Sequence, residues 1–349
     1  MLTFALTTKK IIQSTANTIC IYFDVPQNFT YKAGQYITLK LIINGKEVRR
    51  PYSLSSCFGV DEELYITVKL IENGDGSRYL HNQVKVGDSI EVLKPNGQFI
   101  LPENKPKQII FLAAGSGISP IISLIKEALY HTNSKVLLVY SNSSIESTIF
   151  YNELKELSKI FSGTFEIIWL FCNHKNLRLA RLNRFMLEEI VHLHVAQKNE
   201  VLFYTCGPFN YMEMIFITLL TMGYKQEQLY KETFTIHDDE DDDEGSLITE
   251  KNTPAYVDAF VTVNMHNKQF KFKLLAGESI LQAAEKHNID LPYSCSQGMC
   301  STCACQLNNG EVYLRYNQVL TDKDITEGRI LTCTGHPITN EVEISIIAF

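Results

Sequence analysis

The 349-residue sequence has no run of about eighteen apolar residues, so no membrane-spanning helix is expected. Its start, MLTFALTTKKII, lacks the charged segment and long apolar core of a secretory signal. It also lacks basic excess. The 32 Lys and Arg face 39 Asp and Glu, and a net charge of −7 argues against nucleic acid as a partner. The nine cysteines are odd in number and show no paired framework, and the chain is long for a disulfide-stapled fold. A reducing, cytoplasmic setting is therefore expected. A second Cys-x2-Cys pair, as a four-cysteine zinc site would need, is missing. So is the Gly-x-Gly-x-x-Gly fingerprint.

What is present is enough chain for two or three cores, with 45% hydrophobic and 20% charged residues, as in soluble globular proteins. Residues 1 to about 104 alternate apolar and polar residues in short runs (ICIYFDV, YITLKLII, ELYITVKLI, SIEVLKP). Asn-Gly turns are expected in INGKE and KPNGQF, and the pattern predicts an antiparallel barrel or sandwich. From about residue 105 to 236 buried strands alternate with helices: QIIFLAA with IISLIKEALYH, KVLLVYSN with STIFYNELKELSKI, TFEIIWLFC with ARLNRFMLEEIVHL, and VLFYTC with FNYMEMIFITLLTMG. That rhythm predicts an α/β domain on a parallel sheet, helices on both faces. Residues 237–254 hold a nearly continuous acidic run, Asp238 to Glu244, and read as a self-repelling linker. Residues 255–349 offer a hairpin (AFVTVNM, KQFKFKLL), one helix (SILQAAEKHN) and a cysteine loop, which predicts a small mixed α+β sheet of the β-grasp kind.

The chemistry concentrates in that loop. Cys295-x4-Cys300-x2-Cys303-x29-Cys333 is the plant-type spacing for four thiolates on a [2Fe–2S] cluster. Three ligands share one tight loop, where Gly298 and the serines 294, 296 and 301 let backbone N–H groups approach sulfur. Cys305 falls outside the spacing and reads as a buried small residue; His237 and His336 read as surface or loop histidines. On these residues, with Pro292-Tyr293-Ser294 and Leu331-Thr332-Cys333, residues 255–349 resemble a plant-type ferredoxin domain.

Upstream, Arg50-Pro51-Tyr52-Ser53 is expected directly after a strand, and Gly74-Asp75-Gly76-Ser77 offers backbone donors before the helical RYLHN. Gly115-Ser116-Gly117-Ile118-Ser119-Pro120 follows a strand and opens a helix, where free N–H groups and the helix dipole can hold a phosphate. Cys206-Gly207-Pro208 stands at a strand's carboxyl end. In this order, the motifs make residues 1–236 resemble a ferredoxin–NADP reductase-type flavoprotein. The resemblance implies that Arg50 neutralises the FAD phosphate, Tyr52 stacks on the isoalloxazine and Ser53 bonds its N5. It places Thr67-Val68-Lys69 at the ribityl chain, and Gly74, Gly76 and Ser77 at the pyrophosphate. It gives Gly115 through Pro120 the NAD(P)H pyrophosphate, puts Cys206, Gly207 and Pro208 at the nicotinamide, and sets Glu232 and Phe234 beside the flavin. Ser143-Ser144 after Tyr140-Ser141-Asn142 lacks the Arg of NADPH-using relatives and tilts the donor toward NADH, with Arg178, Arg181 and Arg184 as alternative candidates for the ribose from another loop.

The three modules imply one path, from NAD(P)H through FAD to [2Fe–2S] and on to a protein acceptor, since flavin takes electrons in pairs and gives them singly. Reductase subunits of multicomponent oxygenases share this order, and the stretch YKAGQYITLKLIINGKEVRRPYSLSS resembles the phenylacetyl-CoA epoxidase reductase and its relatives. An epoxidase, hydroxylase or desaturase is the expected acceptor; a hybrid-cluster protein is the alternative. The sequence carries no His/carboxylate iron site with which to be an oxygenase by itself.

Overall fold

A computed structural model describes residues 3–26, 28–173, 180–234, 254–265, 268–298, 300–317 and 319–346. The chain divides into two compact units, Met1–Thr235 and Ile236–Phe349. The acidic run and His237 lie outside the described residues, as does Arg178.

The first unit begins with a six-stranded antiparallel sheet: β1 (Thr3–Thr15), β2 (Thr18–Asp24), β3 (Tyr36–Ile43), β4 (Lys46–Ser53), β5 (Leu64–Lys69) and β6 (Ser89–Leu93), in the order β4-β3-β6-β1-β2-β5. A bridge between Leu54 and Ile66 joins the two outer edges, so the sheet curls into a barrel. Every second side chain points inward, and Leu6, Ile21, Ile37, Leu39, Ile66 and Val92 are fully buried there. The Asn44-Gly45 turn forms as expected: Ile43 pairs with Lys46, and both turn residues have positive φ (52° and 77°). Asn96-Gly97 does not turn a hairpin. Asn96 instead exchanges backbone hydrogen bonds with Tyr36, at 2.9 and 3.0 Å, because no strand follows β6 for it to pair with.

Two strands of this sheet were not predicted. β1 carries the polar run Thr7-Thr8-Lys9-Lys10 and a register shift between Thr8 and Lys10, which breaks its alternation. β4 contains Arg49, Arg50 and Pro51, so the motif expected after a strand is the end of the strand itself. Its place at the sheet edge tolerates a proline, which removes no ladder bond from a second neighbour. A short helix, α1 (Asp75–Asn82), crosses between β5 and β6.

Five parallel strands follow: β7 (Gln108–Ala114), β8 (Lys135–Asn142), β9 (Phe165–Phe171), β10 (Val201–Cys206) and β11 (Leu229–Glu232), in the order β11-β10-β7-β8-β9. Helices α2 (Ile118–His131) and α3 (Tyr151–Ile160) cover one face; α4 (Arg184–His194) and α5 (Phe209–Thr221) cover the other. Ile118, Ile122 and Ile125 of α2 are fully buried, each worth about 1.5–3 kcal/mol of transfer free energy. α4 starts later than its apolar run because the Asn183 side chain caps it, accepting from the Met186 N–H at 3.1 Å.

The second unit is a mixed five-stranded sheet with order β13-β12-β18-β14-β16: β12 (Ala259–Met265), β13 (Lys268–Leu274), β14 (Ala304–Asn309), β16 (Arg329–Leu331) and β18 (Glu341–Ile346), with β15 (Val312–Leu314) and β17 (Gly335–Pro337) as a separate pair. β18 runs parallel to β12, which is the β-grasp arrangement expected. The helix α6 (Ile280–Lys286) opens with a Ser279/Gln282 capping box and buries Ile280, Leu281 and Ala284 against the sheet. A second helix, α7 (Asp322–Thr326), precedes β16. No helix among the described residues is long and apolar enough to cross a membrane.

Candidate functional site

Barrel strand and helix meet at the first site. Gly74 caps α1 with no side-chain hydrogen bond, leaving the first N–H groups of the helix to another acceptor. The Arg50 side chain lies directly over Gly76, its Cγ 2.8 Å from where a Cβ would stand. Only glycine lets the guanidinium stem lie across a helix N-terminus, so a basic group and free donors converge as a phosphate requires. Tyr52 packs half-buried against the barrel core, and burial raises its phenol. Ser53 Oγ is buried without a hydrogen-bond partner, an orphaned polar atom of the kind a ligand satisfies.

Other predicted residues here are committed elsewhere. Ser77 Oγ donates to the Gly74 carbonyl (3.0 Å) and accepts from the Ile71 N–H (3.1 Å), so it shapes the turn. Thr67 hydrogen-bonds Ser55 at 2.8 Å, and Val68 is barrel core. Only Lys69 of that trio is exposed.

Lys69 looks into the second site, a cavity of about 850 Å³ lined by barrel residues Asn17 and Thr18 and by the carboxyl ends of the parallel strands. Ala114 to Gly117, Ser141 to Ser143, Gly207, Pro208 and Phe234 share its wall, as do Arg181 and Arg184. Gly117 sits so close to β10 that a Cβ would collide with the Cys206 carbonyl. Gly115 takes φ 54°. Two tyrosines fix this turn: buried Tyr140 OH donates to the Gly115 carbonyl (2.9 Å) and half-buried Tyr211 OH to the Ala113 carbonyl (3.2 Å). In the sequence Tyr140 stands out only as the start of Tyr140-Ser141-Asn142 and Tyr211 not at all, so neither is expected to anchor this turn. The side chains of Ile118, Ser119 and Pro120 point into the core, so this segment can offer a ligand only backbone.

Cys206 is fully buried, and burial, with Glu232 nearby, pushes its thiol well up, so it stays protonated at neutral pH. Glu232 is its register partner on β11. Phe234, 41% exposed, faces the cavity. Arg181 Nε donates to Cys172 Sγ at 3.3 Å, and Arg184 pairs with Glu188 at 2.8 Å.

The third site belongs to the second unit. Cys295, Cys300, Cys303 and Cys333 converge as free thiols. Cys303 and Cys333 Sγ stand 3.2 Å apart; the hydrogen bond between them and burial push Cys303 well up. A hydrogen bond from Cys295 lowers Cys300 to about 5. The four thus fall into two pairs, as two tetrahedral metal ions would need. Gln297 and Gly298 N–H groups donate to Cys295 Sγ (3.4 Å) and Cys333 Sγ (3.3 Å), the contacts that stabilise metal thiolates. Gly298 has φ 71° and lies against the Tyr316 carbonyl, a place closed to any side chain. Cys305 is in the core as expected. His336 is not a surface residue: it lies buried in β17, its Nδ1 3.0 Å from the Glu278 carbonyl and its ring beside Tyr256, because the strand's neighbours cover it.

Sequence comparison assigns a domain to each of these regions. Residues 3–100 match the oxidoreductase FAD-binding domain, 111–216 the oxidoreductase NAD-binding domain, and 263–337 the 2Fe-2S iron-sulfur cluster binding domain. The chain is 31% identical over 345 residues to the glycine betaine monooxygenase reductase subunit of Pseudomonas aeruginosa, covering 94% of this chain and 91% of that one. The chain belongs to this family of flavin- and iron–sulfur-dependent reductases. The reductase is also 29% identical to one of the subunits of the 1,2-phenylacetyl-CoA epoxidase of Escherichia coli, covering 100% and 99%. Its fold is that of phthalate dioxygenase reductase (TM-score 0.62, 23% identity, 99% and 98% covered). It is an oxidoreductase that carries FAD, NAD and 2Fe-2S modules in one chain.

Proposed function

We propose that the reductase takes electrons from NAD(P)H and delivers them singly to a partner oxygenase of epoxidase, hydroxylase or desaturase type, in the cytoplasm. Bound FAD supplies the exchange between paired and single electrons, and a [2Fe–2S] cluster the single-electron outlet. The observation that carries the reading is the cavity in which Gly115–Gly117, Gly207-Pro208 and Phe234 face barrel residue Lys69: a nucleotide on the strand ends there lies against the barrel. The boundaries that go with it are 1–104 for FAD, 105–236 for NAD(P)H and 255–349 for the cluster, with 237–254 as the linker. The nine free thiols support a reducing compartment.

The roles assigned to this chain's own residues follow their surroundings. Arg50 and the start of α1 hold the flavin phosphate groups, Tyr52 presents an aromatic face, and Ser53 Oγ holds a hydrogen bond to the ring. Backbone N–H groups at the head of α2 hold the dinucleotide pyrophosphate. Cys206, kept neutral, and Glu232 beside it shape the nicotinamide end, where Phe234 excludes water. Cys295, Cys300, Cys303 and Cys333 are the cluster ligands. Arg181 and Arg184 on the wall near Ser143 favour acceptance of a 2′-phosphate, and so NADPH beside NADH.

Anaerobic titration with NADH and then NADPH, followed by visible absorbance and EPR, tests the path. Flavin bleaching followed by a [2Fe–2S] signal is expected; bleaching with no cluster signal overturns it. The acceptor is tested by whether a purified oxygenase component accelerates steady NAD(P)H consumption.

A further inference from the structure

Away from the cavity, three side chains of different donor type meet where the barrel packs on the far end of α2. Cys57 lies in the loop after β4 and is fully buried. Its backbone is held by Asp61, whose carboxylate accepts from the Cys57 N–H at 2.7 Å and whose N–H donates to the Cys57 carbonyl at 2.9 Å. Glu127 and His131, one turn apart on α2, face it. Cys57 Sγ is 3.7 Å from Glu127 Oε2, and His131 Nδ1 is 2.8 Å from the same oxygen. All three ligand atoms lie within 4.8 Å of one another. None of the three residues lines the nucleotide cavity.

The spacing suits a tetrahedral ion. Zinc bond lengths to sulfur, nitrogen and oxygen give ligand-to-ligand edges of about 3.4–3.6 Å. The Cys57–Glu127 edge is already nearly that, and the His131–Glu127 hydrogen bond must open by roughly half an ångström. Nothing else has to cross the site. Three further features favour a cation. His131 is the last residue of α2, where the helix dipole is negative. The Glu127 and Asp61 carboxylates give the Cys57 thiol a negative surround; burial first and these carboxylates second push the thiol up to about 12, so an incoming ion must displace its proton. The Glu127 and His131 side chains are 26% and 42% exposed, so a hydrated ion can reach them. Two cations compete: Lys105 Nζ, 3.8 Å from Glu127 Oε1, approaches the other carboxylate oxygen, and Lys126, which bears on Cys57, is paired with Asp61 at 2.7 Å.

We propose that Cys57, Glu127 and His131 form a site for a borderline-soft divalent cation of the Zn²⁺ class, with one water completing the tetrahedron. Binding replaces the Cys57 S–H proton by the metal and releases that proton to solvent, and the Nδ1 proton that His131 gives to Glu127 moves to Nε2, with no change of oxidation state. The ion ties a barrel loop to the helix whose other end carries the nucleotide turn.

The test is equilibrium dialysis of the full-length holoprotein against Zn²⁺, with zinc and iron both measured per chain. One zinc per chain, bound well below roughly 100 µM and without loss of iron, is expected. Cys57→Ser and His131→Ala should each weaken it by about 10-fold or more, while Cys172→Ser, at an exposed thiol, should not. Co²⁺ in place of Zn²⁺ should give a thiolate charge-transfer band that Cys57→Ser abolishes. His131→Ala, at an exposed helix end, keeps the test decisive if the Cys57 variant does not fold. No zinc uptake at that concentration overturns the proposal, as does uptake that costs iron or is unchanged in His131→Ala.

Discussion

The nucleotide turn of the first unit and the cysteine loop of the second are built for groups of opposite charge, an anionic pyrophosphate and a cationic iron–sulfur core, and by opposite means. At the head of α2 the side chains of Ile118, Ser119 and Pro120 turn inward, which leaves backbone as the proposed binding group, in a turn shaped by two glycines and two tyrosine anchors. In the cysteine loop the side chains are the proposed ligands, and the Gln297 and Gly298 N–H groups donate to the sulfurs. A backbone site is damaged by adding atoms; a side-chain site is damaged by removing them.

The largest effect should come from Cys303→Ser. Loss of the [2Fe–2S] EPR signal and a fall of about 100-fold in cytochrome c reduction are expected, with NAD(P)H-to-ferricyanide turnover largely kept. A retained signal would break the assignment. Next, Gly117→Ala adds one methyl against the Cys206 carbonyl. It should cost about 1–3 kcal/mol of stability and raise the KM for either nucleotide; melting curves and initial rates measure both. Arg181→Ala sharpens the comparison, since Arg181 is where a side chain enters the backbone site. Its NADPH KM should rise about 10-fold while that for NADH stays put, and equal KM changes would return the donor to NADH. Smallest is Ser116→Ala, expected to alter kinetics by no more than about 2-fold if backbone holds the pyrophosphate; a drop of 10-fold or more would show that its hydroxyl was a ligand.

The same contrast explains what could be read from sequence. The cluster loop was legible because its chemistry is in residue identity and spacing, and Cys305 could be set aside on spacing alone. The glycine turn was legible as a pattern, yet the hydrogen bonds by which Tyr140 and Tyr211 hold it were not, because both tyrosines lie far from it in sequence. β4 stayed hidden because the Arg and Pro residues of the flavin motif erase its alternation. Asn96-Gly97 misled because a turn dipeptide says nothing about whether a strand follows. His336 misled because loop-like neighbours do not reveal what covers them. Lys126 was unreadable too. Its amine is buried on α2 and pairs with Asp61 of the barrel, 65 residues away, at 2.7 Å, and with Glu153 of α3 at 2.6 Å. A long-range ion pair leaves no periodic trace, and only its 5% exposure reveals that it fastens barrel to parallel sheet.

The 3.2 Å approach of Cys303 and Cys333 has a thermodynamic consequence as well. The two residues are 30 apart in sequence, so any group that bonds both closes a loop of that length. For covalent cross-links of this span, the loss of chain freedom in the unfolded state is worth between about 3 and 5 kcal/mol. Loaded with its cluster, the second unit gains that margin without any further packing. Stripped of it, the same sheet must stand on its apolar core alone.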